Sequence, residues 1–129
     1  MIVLDASAYC EALTRPPGDP LRVRLAGVDL VHVPDGFDIE VLNVLRRLCA
    51  LATITAADVA AEVVALTAAA DIQRHPVVPL LLDMWRLRHN VTGYDAAYVA
   101  LAAHLSLPLA TADQRLANAP NLPCAVEAF

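Results

Sequence analysis

The fold is set by the opening stretch of the chain, Ile2-Val3-Leu4-Asp5-Ala6-Ser7-Ala8. Its aliphatic run is short and ends at a carboxylate, which is typical of a strand buried on both faces of a sheet. Residues 6–14 have the composition of a helix and follow the run without a loop. A buried strand that passes directly into a helix indicates an α/β protein with a parallel sheet.

The same alternation continues to the end of the chain. Four further apolar runs predict strands, at residues 29–33, 75–78, 107–110 and 123–126. Helical spacing or helix-start signals mark residues 20–26, 37–52, 55–72, 79–89, 92–105 and 112–117. We therefore expect one α/β domain over residues 1–129, with a central, mostly parallel sheet of four to five short strands and helices on both faces.

The charged residues exclude several kinds of chemistry. All 9 basic residues are Arg, so the lysine that a P-loop or a Schiff-base enzyme needs is missing. The net charge is -5, which does not suit a protein that holds nucleic acid by a basic surface alone. If the chain acts on a phosphodiester, a divalent metal is the natural source of positive charge.

The cysteines and the apolar runs bear on the compartment. The 3 cysteines are widely spaced and odd in number, which favours reduced thiols in a cytoplasmic protein. The first apolar stretch contains Asp5 and lacks a basic start, unlike a signal peptide. No run reaches the roughly 18 apolar residues of a membrane span, so we expect no membrane partner.

Two aspartates follow predicted strands. Asp5 ends the first strand, and Asp113 comes shortly after the strand at residues 107–110. Because the carboxyl ends of parallel strands share one edge of the sheet, both side chains are expected at the edge where ligands bind. Each position also suits a helix N-cap, so capping and ligand binding both remain open.

Two further carboxylates stand out. Asp95 opens the helix at residues 92–105, where helix-start chemistry is the simpler explanation. Glu40 lies in an apolar helical segment, with Asn43 and Arg47 on its face, and this stripe either faces solvent or turns toward a site. Four acids meeting at one edge would repel one another, and oxygen ligands of this kind suit Mg²⁺ or Mn²⁺. Such a centre serves the attack of an activated water on a phosphodiester.

Other sites have little support in the sequence. The 4 histidines show no metal-ligand spacing, which makes a zinc site improbable. No nucleophile-elbow serine motif and no dinucleotide-binding glycine motif occurs.

Four segments together closely resemble the PIN-domain family and, within it, the VapC-type ribonuclease toxins of toxin–antitoxin systems. They are residues 2–8 (IVLDASA), 40–47 (EVLNVLRR), 94–102 (YDAAYVALA) and 110–116 (ATADQRL). The resemblance covers nearly the whole chain and implies a PIN-like three-layer fold. It also implies an endoribonuclease that depends on Mg²⁺ (or Mn²⁺).

The resemblance assigns roles residue by residue. It implies that the catalytic acids are Asp5, Glu40, Asp95 and Asp113. The metal ligands among them would be Asp5, Asp95 and Asp113, with Glu40 orienting water or completing the shell of the metal. Three polar residues match positions beside the acids: Ser7, Asn43 and Thr111. Some family members carry a further Asp after the fourth acid, whereas Gln114 follows Asp113 here, so the match does not extend to a second metal site.

The resemblance also implies partners. These are an RNA substrate, a cognate VapB-like antitoxin that covers the acidic cleft, and a second copy of the chain in a homodimer or a toxin–antitoxin hetero-oligomer. Two other functions stay open from the residues alone. One is a catalytically silent PIN-like module that binds RNA or protein, which has no need of four mutually repelling acids. The other is a DNA nuclease of the flap-endonuclease type, which usually has helical insertions and a basic surface.

Two surfaces follow as expectations. Contacts with RNA would use arginines that are otherwise ordinary surface residues: Arg46, Arg47, Arg86, Arg88 and Arg115. An antitoxin helix would lie in a groove formed by apolar residues of two helices: Phe37, Val41, Leu45, Ala61, Val64, Leu66 and Ala68. The alternative is that these apolar residues pack the two helices on each other.

Overall fold

Five short strands form the central sheet of the computed structural model, which describes residues 1–129. They are β1 (Ile2–Leu4), β2 (Val31–Pro34), β3 (Ile72–His75), β4 (Leu109–Thr111) and β5 (Val126–Ala128). The strand order is β3-β2-β1-β4-β5, and every neighbouring pair is parallel. The predicted parallel α/β fold is therefore confirmed, with β1 at the centre of the sheet.

Seven α-helices connect and cover the strands. They are α1 (Ala6–Thr14), α2 (Pro20–Ala26), α3 (Phe37–Ala50), α4 (Ala56–Ala68), α5 (Leu81–Arg86), α6 (Gly93–Leu105) and α7 (Gln114–Ala117). A 3-10 turn at Val78–Leu80 leads into α5. Helix α1 packs on α3, and α3 on α4, while α5 packs on α6 and α6 lies against β1, β2 and β4. These two groups of helices cover the two faces of the sheet. None of the helices has the length and apolar character that a bilayer crossing requires.

The core is built from small and aliphatic residues, as the composition suggests. All three residues of β1 are buried, and so is every residue of α6 from Ala96 to Ala102. A helix that is apolar all round belongs in the interior of a protein, and its alanines allow close approach to the sheet. The carboxyl ends of β1 and β4 therefore lie next to the start of a buried helix.

The structure corrects the expected antitoxin groove. Phe37, Val41 and Leu45 are fully buried in the core, on the face of α3 that packs onto α1. These three residues therefore do not line an open groove; they belong to the core, and α3 contacts both α1 and α4. Leu66 is also buried, whereas Val64 is 67% exposed.

Several element boundaries differ from the expectations. The third strand ends at His75 because Pro76 and the 3-10 turn follow, and α4 ends at Ala68, before this strand begins. The last strand begins at Val126, past Pro123, which has no N–H to donate to a sheet. Helix α3 stops at Ala50, and Ala52 adopts a left-handed conformation with φ 56°.

Candidate active site

Asp5 is held at the carboxyl end of β1 by two hydroxyl groups. Its side chain is only 6% exposed and makes no capping hydrogen bond, although Asp5 occupies the N-cap position of α1. Its Oδ2 accepts hydrogen bonds from Ser7 Oγ and, at 2.6 Å, from Thr111 Oγ1. The two hydroxyl oxygens lie 3.3 Å apart. The structure thus brings Ser7 and Thr111 beside the first acid, as the resemblance implied.

The same hydroxyls fix the neighbouring chain segment. Ser7 Oγ accepts from the Ala112 N–H at 3.2 Å, and Thr111 Oγ1 accepts from the Asp113 N–H at 3.0 Å. The start of α1 and the end of β4 are therefore joined by side-chain hydrogen bonds. This link holds Asp5 and the backbone of Asp113 at one edge of the sheet.

Asp113 acts as a helix cap in this structure. Its Oδ1 accepts from the Arg115 N–H at 2.8 Å and from the Leu116 N–H at 3.3 Å. Its Oδ2 lies 3.1 Å from Nη2 of Arg115. The same Nη2 lies 3.5 Å from Oδ2 of Asp95, so one guanidinium joins the two carboxylates. Arg115 is thus the cation nearest to this pair of acids, a position that the sequence did not reveal.

Asp95 does not cap its own helix. Thr92 is the N-cap of α6, and its Oγ1 accepts from the Asp95 N–H at 3.2 Å. The Asp95 carboxylate is largely buried and faces Arg115. Its side chain is therefore available to the site at the start of α6.

Glu40 turns toward α6 instead of facing solvent. Its Oε1 accepts a hydrogen bond of 3.0 Å from the hydroxyl of Tyr98, whose ring is fully buried. Asn43 lies on the exposed side of α3, where its Oδ1 accepts from Arg46 at 3.2 Å. The structure therefore places Asn43 outside the hydrogen-bond network of the acids. Tyr98 is the residue that sequence reasoning missed, although its position three residues after Asp95 puts it on the same helical face.

The acids affect each other electrostatically. Burial raises the pKa of Asp5, the hydroxyls of Ser7 and Thr111 partly oppose this, and the charge of Asp95 adds to the rise. Burial likewise raises the pKa of Glu40, and the charges of Asp5 and Asp95 raise it further. The hydrogen bond from Tyr98 lowers it. Three carboxylates from β1, α3 and α6 thus share one electrostatic environment, which favours a bound cation.

The residues fit a hard divalent metal in chemistry and charge. All the donors are carboxylate oxygens, and the site already draws one cationic side chain, Arg115. However, no three of the acids converge closely enough in this structure to hold one ion together. Asp95 and Asp113 would have to exchange their contact with Arg115 for the metal.

The comparisons with known proteins show the family of the chain. Residues 2–122 match the PIN domain family, and the chain belongs to that family. Over 127 residues it is 41% identical to ribonuclease VapC1 of Mycobacterium tuberculosis, covering 97% of this chain and 95% of the relative. It is 40% identical over 119 residues to ribonuclease VapC12 of the same organism, covering 92% of this chain and 91% of the relative. These relatives confirm the resemblance to the VapC type within the family.

Two solved structures share the fold. VapC20 of Mycobacterium tuberculosis, a sarcin-ricin loop cleaving toxin, superimposes with a TM-score of 0.67 at 19% identity, covering 90% of this chain and 92% of that one. A structure of FitAB bound to a DNA fragment gives a TM-score of 0.67 at 17% identity, covering 99% and 94%. The three-layer PIN fold is therefore confirmed.

Proposed function

We propose that the chain is an endoribonuclease toxin of the VapC type that requires Mg²⁺ or Mn²⁺. The observation that carries this proposal is the position of Asp5 and Glu40 near Asp95 at the carboxyl edge of the sheet, where the charge of Asp95 adds to the rise that burial causes in the pKa of both. The ribonuclease names of the relatives support it. Ligands bind at this edge in open parallel sheets.

In this proposal each acid has a role. Asp5, Asp95 and Asp113 hold the ion, and Ser7 and Thr111 keep the Asp5 carboxylate in place through their hydrogen bonds. The bound ion would activate a water molecule and offset the charge of the phosphodiester. Cleavage then leaves a 5′-phosphate and a 3′-hydroxyl.

Glu40 is the proposed proton acceptor for the attacking water. Tyr98 donates to its Oε1, and Oε2 is left available to accept a proton from water. A carboxylate with a raised pKa binds a proton more readily at neutral pH than an ordinary one. Tyr98 is a positioning residue, because it acts through Glu40.

We also propose that an antitoxin helix covers a groove between α3 and α4. The groove is lined by Leu42, Val63 and Leu66, with the Arg74–Asp38 ion pair beside them. Leu42 is 50% exposed, and an exposed apolar groove of this kind suits an amphipathic helix. The groove therefore uses other α3 residues than the sequence suggested. The chain would act as a homodimer or within a toxin–antitoxin hetero-oligomer.

The central experiment measures RNA cleavage by the purified chain after its antitoxin has been removed. We expect cleavage of a structured RNA with Mg²⁺ or Mn²⁺, none with EDTA, and 5′-phosphate ends on the products. Undiminished cleavage in excess chelator would refute the metal requirement. Cleavage of DNA flaps but not of RNA would instead establish the flap-endonuclease alternative.

A silent binding module is the second candidate, because no three acids converge and Arg115 contacts two of them. Expression in cells separates the two functions. The toxin should arrest growth, Asp5→Ala should relieve the arrest, and the antitoxin should form an inactive complex with the chain. A harmless wild-type chain that binds RNA but never cleaves it would establish the silent module.

A further inference from the structure

A polar pocket of about 270 Å³ lies beside Asp95. We call this cavity the Arg88 pocket. The polar residues that line it are Arg88, His89, Asn90, Thr92, Asp95 and Arg115. They come from the loop between α5 and α6, from the first turn of α6 and from α7, so the pocket adjoins the acidic site. Among the five arginines considered as RNA contacts, only Arg88 and Arg115 line it.

Arg88 is a positioned cation without a carboxylate partner. Its Nη1 donates to the Trp85 carbonyl at 3.1 Å, and its guanidinium carbon lies 4.9 Å from the centroid of the Trp85 ring. It forms no salt bridge, whereas its neighbour Arg86 pairs with Asp83 at 2.7 Å. The guanidinium therefore lies against the Trp85 ring and still has donors for an anionic ligand.

Arg115 can contribute a second set of donors. Its side chain is 72% exposed, and its contact with Asp95 is long at 3.5 Å. Exposed ion pairs of this kind are worth about 0–1 kcal/mol, so a phosphate can compete for the guanidinium. Asp95 is the only acid that lines the Arg88 pocket, and in this structure the guanidinium of Arg115 lies beside it.

We propose that the Arg88 pocket binds a backbone phosphate of the RNA next to the bond that is cut. Arg88 supplies the main charge, and Arg115 turns from Asp95 to assist it. This inference deepens the proposed function and rests on it. A chain of net charge -5 needs local positive charge of this kind to hold RNA beside four acids. Guanidinium groups suit phosphate because they offer two parallel donors.

The test measures RNA binding without cleavage, using the wild-type chain in EDTA and a short single-stranded RNA over a range of salt concentrations. Arg88→Gln should weaken binding about fivefold or more and reduce the slope of log affinity against log salt by about 0.7, the value for one phosphate of a single strand. The matched control is Arg22→Gln. Arg22 is also exposed and unpaired, and it donates to a backbone carbonyl, that of Arg15, at 2.9 Å. Both variants should melt at the wild-type temperature.

A local probe gives a second readout. Trp85 is the only tryptophan in the chain, and it lies against Arg88. Inorganic phosphate should change its fluorescence in the wild type and in Arg22→Gln, but not in Arg88→Gln. If Arg88→Gln and Arg22→Gln bind RNA with equal affinity and salt slope, the proposal is wrong. It is also wrong if Arg88→Gln loses antitoxin binding alone, because the pocket then serves a protein partner.

The outcome separates the pocket from the nuclease proposal. With metal present, Arg88→Gln should raise KM and leave kcat near the wild-type value, because Arg88 is not among the acids. A wild-type chain that never cleaves RNA, but loses RNA affinity in Arg88→Gln, would support the pocket and refute the nuclease. A nuclease whose KM and RNA affinity are unchanged by Arg88→Gln would refute the pocket alone.

Discussion

Replacing Asp5 by Asn should stabilise the metal-free protein. The carboxylate is buried and accepts two hydroxyl hydrogen bonds. Asn keeps the shape but makes neutral hydrogen bonds, each weaker by about 1 kcal/mol than those of the charged group, a loss of about 2 kcal/mol. Removing a buried charge returns several kcal/mol of desolvation. Since burial outweighs the hydrogen bonds in setting the raised pKa of Asp5, the net change is a gain.

The size of the gain can be stated for a domain of this length. A net stabilisation of about 1 to 2 kcal/mol corresponds to a rise of about 4 to 7 °C in melting temperature. The gain should depend on pH. A carboxyl whose pKa is raised by folding stabilises the wild type below its unfolded pKa, and this contribution is lost as the pH rises through the folded value. The advantage of Asp5→Asn should therefore be largest near neutral pH and disappear toward pH 4.

A divalent metal should make the wild type more stable than Asp5→Asn, the reverse of the order expected without metal. If Asp5 is a ligand, wild-type protein at 100 times the dissociation constant gains about 2.7 kcal/mol, while Asp5→Asn gains little. Melting curves in EDTA and with a titration of Mn²⁺ provide the assay. Asp29→Asn is the control, because Asp29 is an exposed acid away from the sheet edge. An Asp5→Asn protein that is less stable in EDTA, or that responds to metal like the wild type, would refute the reasoning.

Three more substitutions test the surroundings of the site. Tyr98→Phe removes the hydrogen-bond donor to Glu40, which should lower the free energy of unfolding by about 1 to 2 kcal/mol. Because that hydrogen bond lowers the pKa of Glu40, the acidic limb of the pH–rate profile should move to higher pH. An unmoved limb would contradict the role of Glu40. Arg115→Gln frees two carboxylates from ion pairs worth about 0.2 to 1 kcal/mol each, together about 0.4 to 2 kcal/mol. Calorimetry should therefore show Mn²⁺ binding about two- to thirtyfold tighter, and weaker binding would disprove the competition. Burial and the nearby His75 lower the pKa of His32, so the folded state loses stability as the pH falls below about 6.5. The melting temperature of His32→Leu should therefore fall less between pH 7 and pH 5 than that of the wild type. An equal fall in both proteins would contradict this role of His32.

The fold could be predicted from the sequence because its signals are local. The run before Asp5 and the buried residues of α6 are apolar on all sides, which indicates a sheet covered by helices. The first and last residues of each strand could not be predicted as well as its presence, because an apolar run of a few residues has no periodicity that marks its limits. The strand at Ile72–His75 was placed too late because its hydrophobic content is low, with Gln73 and Arg74 in its middle.

Of the site, only the acidic residues could be predicted from the sequence. The edge of a parallel sheet gathers residues such as Asp5 and Asp113, and this follows from topology. The hydrogen bond between Tyr98 and Glu40, and the position of Arg115 between two acids, depend on how α3, α6 and α7 approach one another. Long-range side-chain contacts of this kind leave no spacing in the sequence.

The energetics of Asp5 argue that the site is kept for binding and not for stability. A structural aspartate at a helix start would cap the helix, as Asp113 does with Oδ1 at 2.8 Å from the Arg115 N–H. Asp5 lacks a capping hydrogen bond of that geometry and is buried, and burial raises its pKa although the two hydroxyls and the backbone N–H of Ser7 lower it. Its only hydrogen-bond donors, Ser7 and Thr111, do not compensate for the lost hydration, so the charge weakens the metal-free fold. A bound cation would remove this cost, since an opposite charge favours ionised Asp5 and relieves its repulsion with Asp95. A silent binding module would gain nothing from such a residue, and this supports the metal-dependent nuclease.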